Sequence, residues 1–294
     1  SIDLCSDQSA LVMLVGYLWA IMQVVRPVLE RGYDKYSCAS IMGRGVHYAK
    51  ENVERALKDN RHTKYCAQYD VRGFYKNVDK SILYNLLQNR IKDTRVLTLL
   101  HEIIYSHTGD GLPLGYYTSG ILANYYLTFL DRFMHEQLHT DYYFRYMDDL
   151  IVLSGSKRKL HSDLHKLQRF LRNKLGLELK SNYQVYKLPT KIGGEVFKGR
   201  AIDFVGFRFF RYKTIIRKSI YLKMTRLYRR IMNGRYNLRN AYRFSSYNGY
   251  ITHTNSENIR EKYINGKIVA KRLKKFVRAE SKRLTEIRQQ VFPA

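Results

Sequence analysis

The sequence predicts an α+β protein, and three of its features indicate this class. Short apolar segments rich in aromatic and β-branched residues occur at 65–71 and 142–154, where they are typical of strands. Segments with apolar residues at helical spacing, such as 46–58 and 157–174, separate or flank them. Beyond about residue 213 the chain becomes basic and helical in pattern. We therefore predict a small sheet among helices, followed by a basic helical region.

The composition and charge restrict the classes of function. The 294 residues include 52 Lys and Arg against 25 Asp and Glu, a formal net charge of +27. With 45% hydrophobic and 14% aromatic residues the chain can bury a core, which excludes disorder. An acidic small-domain enzyme is disfavoured, because such a positive excess repels itself unless a polyanion neutralises it. Nucleic acid is the first expected partner and an anionic membrane the second.

The elements follow from the apolar pattern and the turn residues. The segment Ala10–Val25 is shorter than the roughly 20 residues of a membrane span. It lacks the features of a signal peptide, and predicts a buried helix that ends at Pro27. Ser81 is a candidate N-cap. Further helices are expected over 46–58, 82–89, 96–105, 119–138 and 157–174, and strands over 65–71, 142–154, 177–185 and 202–212. Segment 142–154 predicts a hairpin with an acidic two-residue tip, Asp148-Asp149.

The C-terminal part of the chain carries most of the excess charge. Residues 208–294 contain 23 of the basic residues but only 4 of the acidic ones. Aromatic residues such as Tyr228, Tyr242 and Tyr250 lie among them, and such rings can stack on bases or pack beneath a nucleic-acid backbone. A solvated charged face is the alternative interpretation. We interpret the region as one that binds a polyanion.

Several other kinds of site are disfavoured by the residues present. Three widely spaced cysteines, Cys5, Cys38 and Cys66, give neither a disulfide framework nor a zinc pair, and indicate a reducing compartment. The histidines show no consistent ligand spacing. The turn at 43–45 is too short for a phosphate-binding P-loop, and Ser119 lacks the partners of a catalytic nucleophile.

Three carboxylates are the strongest candidates for chemistry. Asp148 and Asp149 lie between two apolar strands, and Asp70 ends another apolar strand. If these strands are neighbours, the three carboxylates converge at one sheet edge, although an isolated Asp-Asp pair is more often a solvated turn. Converging carboxylates are what two divalent ions about 3.5–4 Å apart require, to activate a 3′ hydroxyl and to stabilise leaving pyrophosphate. Mg²⁺ prefers oxygen ligands, so the absence of His and Cys beside them is consistent.

Several motifs, in a fixed order, resemble those of reverse transcriptases of the bacterial group II intron-like branch. The likeness is greatest to the reverse transcriptases of diversity-generating retroelements. The matching segments are SCASIMGRGVHYA (37–49), YDVRGFYKNVD (69–79), GLPLGYYTSGILANYYL (111–127), FRYMDDLIVLS (144–154), KLGLEL (174–179), IDFVGFRFF (202–210) and NGYITHTN (248–255). The resemblance covers roughly residues 20 to 265. Its most specific part is the Gly-Leu-Pro-x-Gly loop followed by Tyr-Met-Asp-Asp.

The resemblance implies roles for residues around the carboxylates. Asp70, Asp148 and Asp149 would hold two Mg²⁺ ions, for which Mn²⁺ is a possible substitute, and the carbonyl of Val71 would assist. Tyr75 matches the bulky residue that excludes a ribose 2′-hydroxyl. The implied nucleotide-binding residues are Arg44, Phe74, Tyr75, Leu114 and Gly115. Core packing is the alternative for both Phe74 and Tyr75.

The resemblance also implies contacts with the template and primer. The expected palm contacts are Gly111, Pro113, Tyr146, Met147, Gly206 and Phe207. The expected thumb contacts with nucleic acid are Arg226, Arg229, Arg230 and Tyr247. Glycines suit the 111–115 loop, because the backbone must approach the substrate closely. A buried strand turn is the alternative for Gly206 and Phe207.

Departures from the family pattern affect what can be carried over. Relatives commonly have a basic residue where Ile41 stands, so only Arg44 remains there to meet a triphosphate. Leu114 replaces the common Gln of its loop, as is typical of the diversity-generating branch, where it is associated with error-prone copying of template adenines. The Ser-Gln pair usual in that branch is Ser119-Gly120 here.

The fold that the resemblance implies is a right-hand polymerase. Fingers and palm would interleave over 1–212, with palm motifs near 65–80, 109–154 and 174–212, and a helical thumb would cover 213–294. The expected activity is RNA-directed DNA synthesis, with template RNA, an RNA–cDNA hybrid and deoxynucleoside triphosphates as partners. The subfamily adds a structured retroelement RNA and a ring-forming helical accessory protein. We expect a cytoplasmic location in a bacterial host, or phage encoding, and no membrane partner.

Several alternatives remain open from the sequence. Within reverse transcriptases, they are a phage-defence, retron or group II intron enzyme with a maturase role. Outside them, an RNA-dependent RNA polymerase or a non-catalytic RNA-binding module on the same fold is possible. The three intact carboxylates argue against the non-catalytic module, because a chain without bound metal has no physical reason to keep converging charges.

Overall fold

The protein divides into two compact units. The computed structural model describes residues 8–192, 195–233, 237–263 and 273–283. The first unit contains Ser1–Leu188 and Lys198–Arg200, and the second contains Pro189–Phe197 and Ala201–Ala294. Both units combine helices with small sheets, so the predicted α+β class is confirmed.

The first unit holds most of the helices and the largest sheet. Its elements are α1 (Gln8–Glu30), β1 (Ser37–Cys38), α2 (Val46–Ala56), β2 (Tyr65–Asp70), α3 (Phe74–Asn77), α4 (Lys80–Arg90), α5 (Thr94–Tyr105), α6 (Tyr117–Glu136), β3 (Tyr142–Tyr146), β4 (Asp149–Ser154), α7 (Lys157–Leu175) and β5 (Gln184–Lys187). No helix within the described ranges is long and apolar enough to cross a membrane.

A five-stranded sheet organises the first unit, with strand order β1-β3-β4-β2-β5. β1 pairs with β3 in parallel, and the other neighbours are antiparallel. The β2–β4 register places Asp70 directly opposite Asp149, and the β3–β4 register places Tyr146 opposite Asp149. The acidic ends of β2 and β4 therefore meet at one edge of the sheet.

Helices cover one face of this sheet. The side chain of Tyr69 in β2 reaches α7, where its hydroxyl donates to the carbonyl of Leu160 at 3.5 Å. The apolar stripe of α7, which includes Leu164, Leu167 and Leu171, is buried in the core. Because successive side chains of a strand point to opposite faces, Asp70 points away from α7. The packed core and the carboxylates thus lie on opposite faces.

Polar caps fix the starts of three helices of the first unit. The side chain of Asp79 accepts from the backbone N–H of Ser81 at 2.8 Å and of Ile82 at 2.9 Å, at the start of α4. Asp93 and Ser156 cap α5 and α7 in the same way. The predicted cap Ser81 is therefore wrong by two residues, since the aspartate ahead of it supplies the acceptor for two otherwise unpaired N–H groups.

Three sequence predictions differ from the structure. α1 continues through Pro27, because Val25 and Leu29 are buried and hold its last turn to the core. The predicted strand 177–185 is a single bridge between Val71 and Leu179, followed after a turn by β5. The predicted strand 202–212 is a hairpin of two strands, because the chain reverses at Val205 and Gly206, whose φ angles are 46° and 89°.

The second unit is a small sheet packed with basic helices. Its elements are β6 (Thr190–Ile192), β7 (Glu195–Phe197), β8 (Ile202–Phe204), β9 (Phe207–Phe210), β10 (Lys213–Ile216), α8 (Lys218–Met232), α9 (Leu238–Thr252) and α10 (Glu257–Tyr263). Residues 273–283 are also helical. β8, β9 and β10 form an antiparallel sheet.

The second unit includes residues 201–212, which the resemblance assigned to the palm. The thumb assignment of 213–294 stays a prediction. Its residues 234–236, 264–272 and 284–294 lie outside the described part of the chain.

Candidate active site

Three carboxylates lie around the turn between β3 and β4. The two residues of the turn are Met147 and Asp148, and Asp149 is already the first residue of β4. The predicted Asp148-Asp149 tip is therefore shifted by one residue, with Met147 in the left-handed region at φ 53°. Directly opposed residues of an antiparallel pair share a face, so Asp70 and Asp149 lie side by side.

The backbone ties the end of β2 to this turn. The N–H of Val71 donates to the carbonyl of Asp148 at 3.1 Å, and the side chain of Val71 is fully buried. The N–H of Lys180 donates to the carbonyl of Asp70 at 2.8 Å. These bonds fix the chain on both sides of the carboxylates. A ligand role for the carbonyl of Val71 stays a prediction.

Asp70 and Asp148 have different electrostatic surroundings. Lys180 Nζ donates to Asp70 Oδ2 at 2.7 Å, whereas Asp70 Oδ1 is buried and has no hydrogen-bond partner among the described residues. Burial, and then the charge of Asp70, raises the pKa of the Asp148 carboxyl above its ordinary value. The ionised form of Asp148 is thus disfavoured until a further positive charge approaches.

The chemistry of this donor set fits a divalent cation. A buried carboxylate oxygen without a donor, next to two further carboxylates, has the hard oxygen character that Mg²⁺ and Mn²⁺ bind. Within the described ranges no three His, Cys, Asp or Glu side chains already form a complete ligand group. The fit therefore rests on the donor chemistry and on Asp70 Oδ1.

A cavity of about 520 Å³ lies in the same unit, a size typical of small-molecule sites. Its lining residues are Arg26, Ser40, Ile41, Met42, Tyr75, Leu114, Gly115, Tyr116, Tyr117, Gly120 and Ile121. The hydroxyl of Tyr75 donates to Met147 Sδ at 3.8 Å. Burial, and then the charge of Asp148, raises the pKa of Tyr75 above its ordinary value. Tyr75 therefore connects the cavity wall with the carboxylate turn.

The glycine loop is held against α3 by close backbone contact. Gly111 has φ 66°, and a Cβ there would lie 2.1 Å from the carbonyl oxygen of Tyr75. The N–H of Leu112 donates to the same carbonyl at 2.8 Å. Only glycine allows this approach. The loop then presents Leu114, which is 77% exposed, and Gly115 to the cavity, while Pro113 is half-buried behind them.

Two residues predicted to contact the nucleotide do not line this cavity. Phe74 is 2% exposed and packs in the core, because the left-handed Gly73 starts α3 with Phe74 inward and Tyr75 toward the cavity. Arg44 Nη1 donates to the carbonyl of Asp34 at 2.7 Å, so its guanidinium holds the preceding turn and does not line the cavity. The burial of Phe74 favours the core-packing alternative, and a nucleotide contact by Arg44 stays a prediction.

Sequence reasoning missed two basic residues. Arg26 lines the cavity, where its Nη1 donates to the hydroxyl of Tyr117 at 3.1 Å and its Nε to Glu30 at 2.5 Å. Lys180 holds Asp70. The sequence alone could not show that Arg26, on α1, faces the segment 111–117. The only signal for Lys180 was its place directly after the KLGLEL motif.

A sequence model described as reverse transcriptase (RNA-dependent DNA polymerase) matches residues 18–209. This match covers the carboxylates, the glycine loop and the cavity. The chain belongs to the reverse transcriptase family. The coarser part of the expected resemblance is thus confirmed, and the diversity-generating branch stays a prediction.

Curated relatives include a group II intron-encoded protein and a retron reverse transcriptase. The chain is 22% identical over 226 residues to protein YkfC of Escherichia coli K12, covering 62% of this chain and 59% of that protein. It is 28% identical over 127 residues to the group II intron-encoded protein LtrA of Lactococcus lactis, covering 39% and 21%. It is 25% identical over 146 residues to the retron Ec73 reverse transcriptase of E. coli, covering 45% and 46%. The chain spans less than two thirds of the length of each.

The solved structures with a similar fold include a telomerase. Apo telomerase from Candida tropicalis superposes with a TM-score of 0.53 at 13% identity, over 94% of this chain and 51% of that chain. At this identity the likeness shows the fold alone, and it confirms the predicted polymerase fold.

The remaining predicted contacts of this reverse transcriptase family member lie partly in the second unit. Gly206 and Phe207 are buried, and a Cβ at Gly206 would lie 2.7 Å from Ile220 Cδ1 and from Tyr250 Cε1, which accounts for the glycine by packing. Arg226, Arg229 and Arg230 are exposed on α8.

Two predicted contacts have mainly packing surroundings. Tyr247 is half-buried and packs against two hydrophobic clusters of the second unit, and its contact with nucleic acid stays a prediction. Tyr146 is half-buried in the strand that leads into the carboxylate turn.

Proposed function

We propose that the protein is an RNA-directed DNA polymerase that extends a primer on an RNA template. The observation that carries this proposal is the placement of Asp70 directly opposite Asp149, with Asp148 in the adjoining turn bonded to the end of β2. The family match and the telomerase-like fold support the same reaction class. The cavity beside Tyr75 and Leu114 would then take the deoxynucleoside triphosphate.

The proposed mechanism assigns positioning tasks to named groups. Asp70, Asp148 and Asp149 would hold two Mg²⁺ ions, with the carbonyl of Val71 as a further ligand and Mn²⁺ as a substitute metal. These ions would lower the pKa of the primer 3′ hydroxyl and stabilise the charge on the leaving pyrophosphate. The 3′ hydroxyl would pass its proton to solvent, and its oxygen would bond to the α-phosphorus as the bond from that phosphorus to the leaving pyrophosphate breaks. Tyr75 borders the sugar, and the backbone at Gly115 borders the base pair being formed.

Removal of the carboxylate charge tests the proposal. Asp148→Asn combined with Asp149→Asn should abolish DNA extension on an RNA template, because neutral amides cannot hold the cations. The thermal midpoint of unfolding should not fall, since burial already disfavours the ionised form of Asp148. Glu51→Gln, an exposed carboxylate on α2, is the matched control and should extend normally. Extension by the double variant at the wild-type rate would contradict the proposal.

We also propose a role in a diversity-generating retroelement, with a structured template RNA and a ring-forming helical accessory protein as partners in the bacterial cytoplasm. The support is Leu114, an exposed aliphatic residue on the cavity wall in the loop that would meet the nascent base pair. An aliphatic side chain there offers no hydrogen bond to either base, so pairing errors are less strongly rejected.

Leu114→Gln tests the mutagenic role. We expect it to reduce misincorporation opposite template adenine by roughly tenfold, the effect of about one hydrogen bond. Sequencing of cDNA copied from one RNA by both enzymes measures this, and errors opposite template cytosine serve as the internal control. An identical error spectrum would contradict the mutagenic assignment.

The retron and group II intron relatives favour the competing roles. The RNA that copurifies with the protein decides between them. A template repeat supports the diversity-generating role, whereas an intron or a non-coding retron RNA would contradict it.

A further inference from the structure

α7 carries nearly all of the charge imbalance of residues 1–188. That stretch contains 26 basic and 19 acidic residues, and α7 supplies seven of the basic ones and one of the acidic ones. The rest of the stretch is therefore close to neutral. The single carboxylate of α7, Asp163, is buried and accepts a hydrogen bond from Lys159 Nζ at 2.6 Å. The solvent side of α7 has no acidic residue of its own.

The exposed cations of α7 form two groups, one in its first turn and one over 166–174, and we call the two groups together the α7 basic face. Its residues are Lys157, Arg158, Lys166, Arg169, Arg172 and Lys174. At about 1.5 Å rise per residue, the two groups are about 12 Å apart along the helix, and the four cations over 166–174 give roughly one cation per 3 to 4 Å. A nucleic-acid strand in a duplex carries about one phosphate per 3.4 Å. Arg172 lies 3.6 Å from Glu178, but both side chains are more than half exposed, and such a pair holds little free energy.

A groove lies beside this face. A cavity of about 410 Å³ lies between the end of α6 and α7. Phe133 and Phe170 stack in its wall, with ring centroids 4.1 Å apart and planes within 13°. Lys166, Arg169 and Lys174 line the same cavity. Because the two rings cover each other's faces, the groove adds its cations to the α7 basic face, and cations that contact phosphates suit a base-paired RNA stem.

The α7 basic face is separated from the carboxylates by the sheet. Tyr69 points to α7 and Asp70 points to the opposite face of the sheet. The leucine stripe of α7 fills the space between the helix and the sheet. A strand bound along the outer side of α7 is therefore not the strand being copied at Asp70.

The surface chemistry favours RNA among anionic partners. Lysine is depleted from protein–protein interfaces, where aromatic and apolar residues form the centre. No large exposed apolar residue accompanies the cations of α7, as insertion into a membrane surface would need. We infer that the α7 basic face is a second RNA-binding surface, which holds a segment of the template RNA outside the copied stretch. The inference rests on the proposed function only where it calls this RNA the template. Binding of RNA by the α7 basic face does not depend on polymerase activity.

The test separates this surface from the catalytic cleft. The variant Arg158→Gln/Arg169→Gln/Arg172→Gln is compared with wild type on two substrates. One is a short RNA template annealed to a DNA primer, and the other is the same duplex with a long base-paired RNA stem attached. We expect kcat and KM on the short substrate to stay unchanged. The Kd for the stem-bearing substrate should rise roughly tenfold or more, and its log–log salt slope should fall by about 2 to 3.

Two control variants make the outcome specific. Lys58→Gln/Lys64→Gln/Lys92→Gln removes the same charge from exposed positions elsewhere in the unit and should behave as wild type. Arg158→Lys/Arg169→Lys/Arg172→Lys keeps the charge and should restore most of the affinity. An equal loss of affinity for the stem-bearing RNA in the Lys→Gln control would overturn the inference. An unchanged Kd in the Arg→Gln variant would also overturn it, and would leave an acidic protein as the occupant of the face. A wild type that cannot extend the short substrate would instead contradict the proposed polymerase, while the binding comparison remains readable.

Discussion

Tyr75 and Phe74 are adjacent residues with opposite surroundings. Phe74 is in the core, whereas Tyr75 lines the cavity and reaches the carboxylate turn through Met147. The cause is backbone geometry at Gly73, whose φ of 52° sets the direction in which α3 starts. A sugar placed between the cavity and the turn would therefore meet the ring of Tyr75.

Tyr75→Ala should admit ribonucleotides. Removal of the ring opens space where a 2′-hydroxyl would lie, and we expect the preference for deoxynucleotides to fall by roughly tenfold to a hundredfold. Primer extension with each nucleotide type measures the ratio of kcat/KM values. Tyr105→Ala, an exposed tyrosine at the end of α5, is the control. Unchanged discrimination would move the sugar gate to another residue.

Arg26 is the cavity residue best placed to meet a triphosphate, since Arg44 is engaged with the backbone of Asp34 and Ile41 is apolar. Arg26→Gln should raise the KM for deoxynucleotides by roughly tenfold, because a charge-assisted hydrogen bond is lost. The value of kcat should change less. Steady-state kinetics measures both, and Arg31→Gln, an exposed neighbour, is the control. An unchanged KM would place the triphosphate elsewhere.

The sequence was sufficient to predict that Asp70 meets Asp149, because β-strand pattern and motif order both act locally. It could not reveal that Arg26 lines the cavity, since that depends on how α1 packs against the segment before α6. The resemblance assigned the sugar-excluding role to Tyr75, but the sequence alone could not show that Phe74 is buried, because that depends on the left-handed backbone at Gly73. The sequence identified the charged residues of the site, but it did not identify the residues with which they form hydrogen bonds and ion pairs.

The contact between β3 and α6 holds the carboxylate turn in place. Arg145 in β3 is fully buried and bonds Asp131 of α6 through Nε at 2.7 Å and Nη2 at 2.6 Å. Its Nη1 donates to Asn124 at 3.0 Å and to the carbonyl of Met147 at 3.4 Å. Tyr143 donates to the same Asp131 at 2.8 Å. One buried network thus spans the helix, the strand and the turn.

Asp131→Asn should destabilise the fold by about 3–5 kcal/mol, because it leaves the buried charge of Arg145 without its partner. Urea unfolding measures this change in the free energy of unfolding. Asp141→Asn, an exposed carboxylate in the following loop, is the control and should change it by less than about 0.5 kcal/mol. A similar small effect at Asp131 would show that the pair is solvated in solution.

Element boundaries illustrate a second limit of sequence reasoning. The long helices α6 and α7 were expected within two residues of their observed ends, because their apolar periodicity is set by the core they face. The segment 177–185 was expected as one strand, but the turn at 181–182 divides it. Its pairing depends on the end of β2, a contact distant in sequence.

Positive charge is concentrated in two regions of the chain. One is α7 in the first unit, and the other is the tail 208–294, where 23 basic residues face 4 acidic ones. The exposed arginines of α8 belong to the second concentration. If both contact phosphates, the measured salt dependence of RNA binding is the sum of two independent contributions, since counterion release scales with the number of phosphates neutralised.

Arg226→Gln/Arg229→Gln/Arg230→Gln tests the contribution of α8. We expect the KM for the short primer–template to rise, and the log–log salt slope of its binding to fall by about 2 to 3, because three cations no longer displace counterions. At saturating substrate kcat should persist, since the carboxylates are intact. Variants of the α7 basic face should leave this short substrate unaffected, so combining both sets should add their effects only on the stem-bearing RNA. The α7 variant alone should not change the salt slope on the short substrate. If it lowered that slope, the two surfaces would bind one continuous strand.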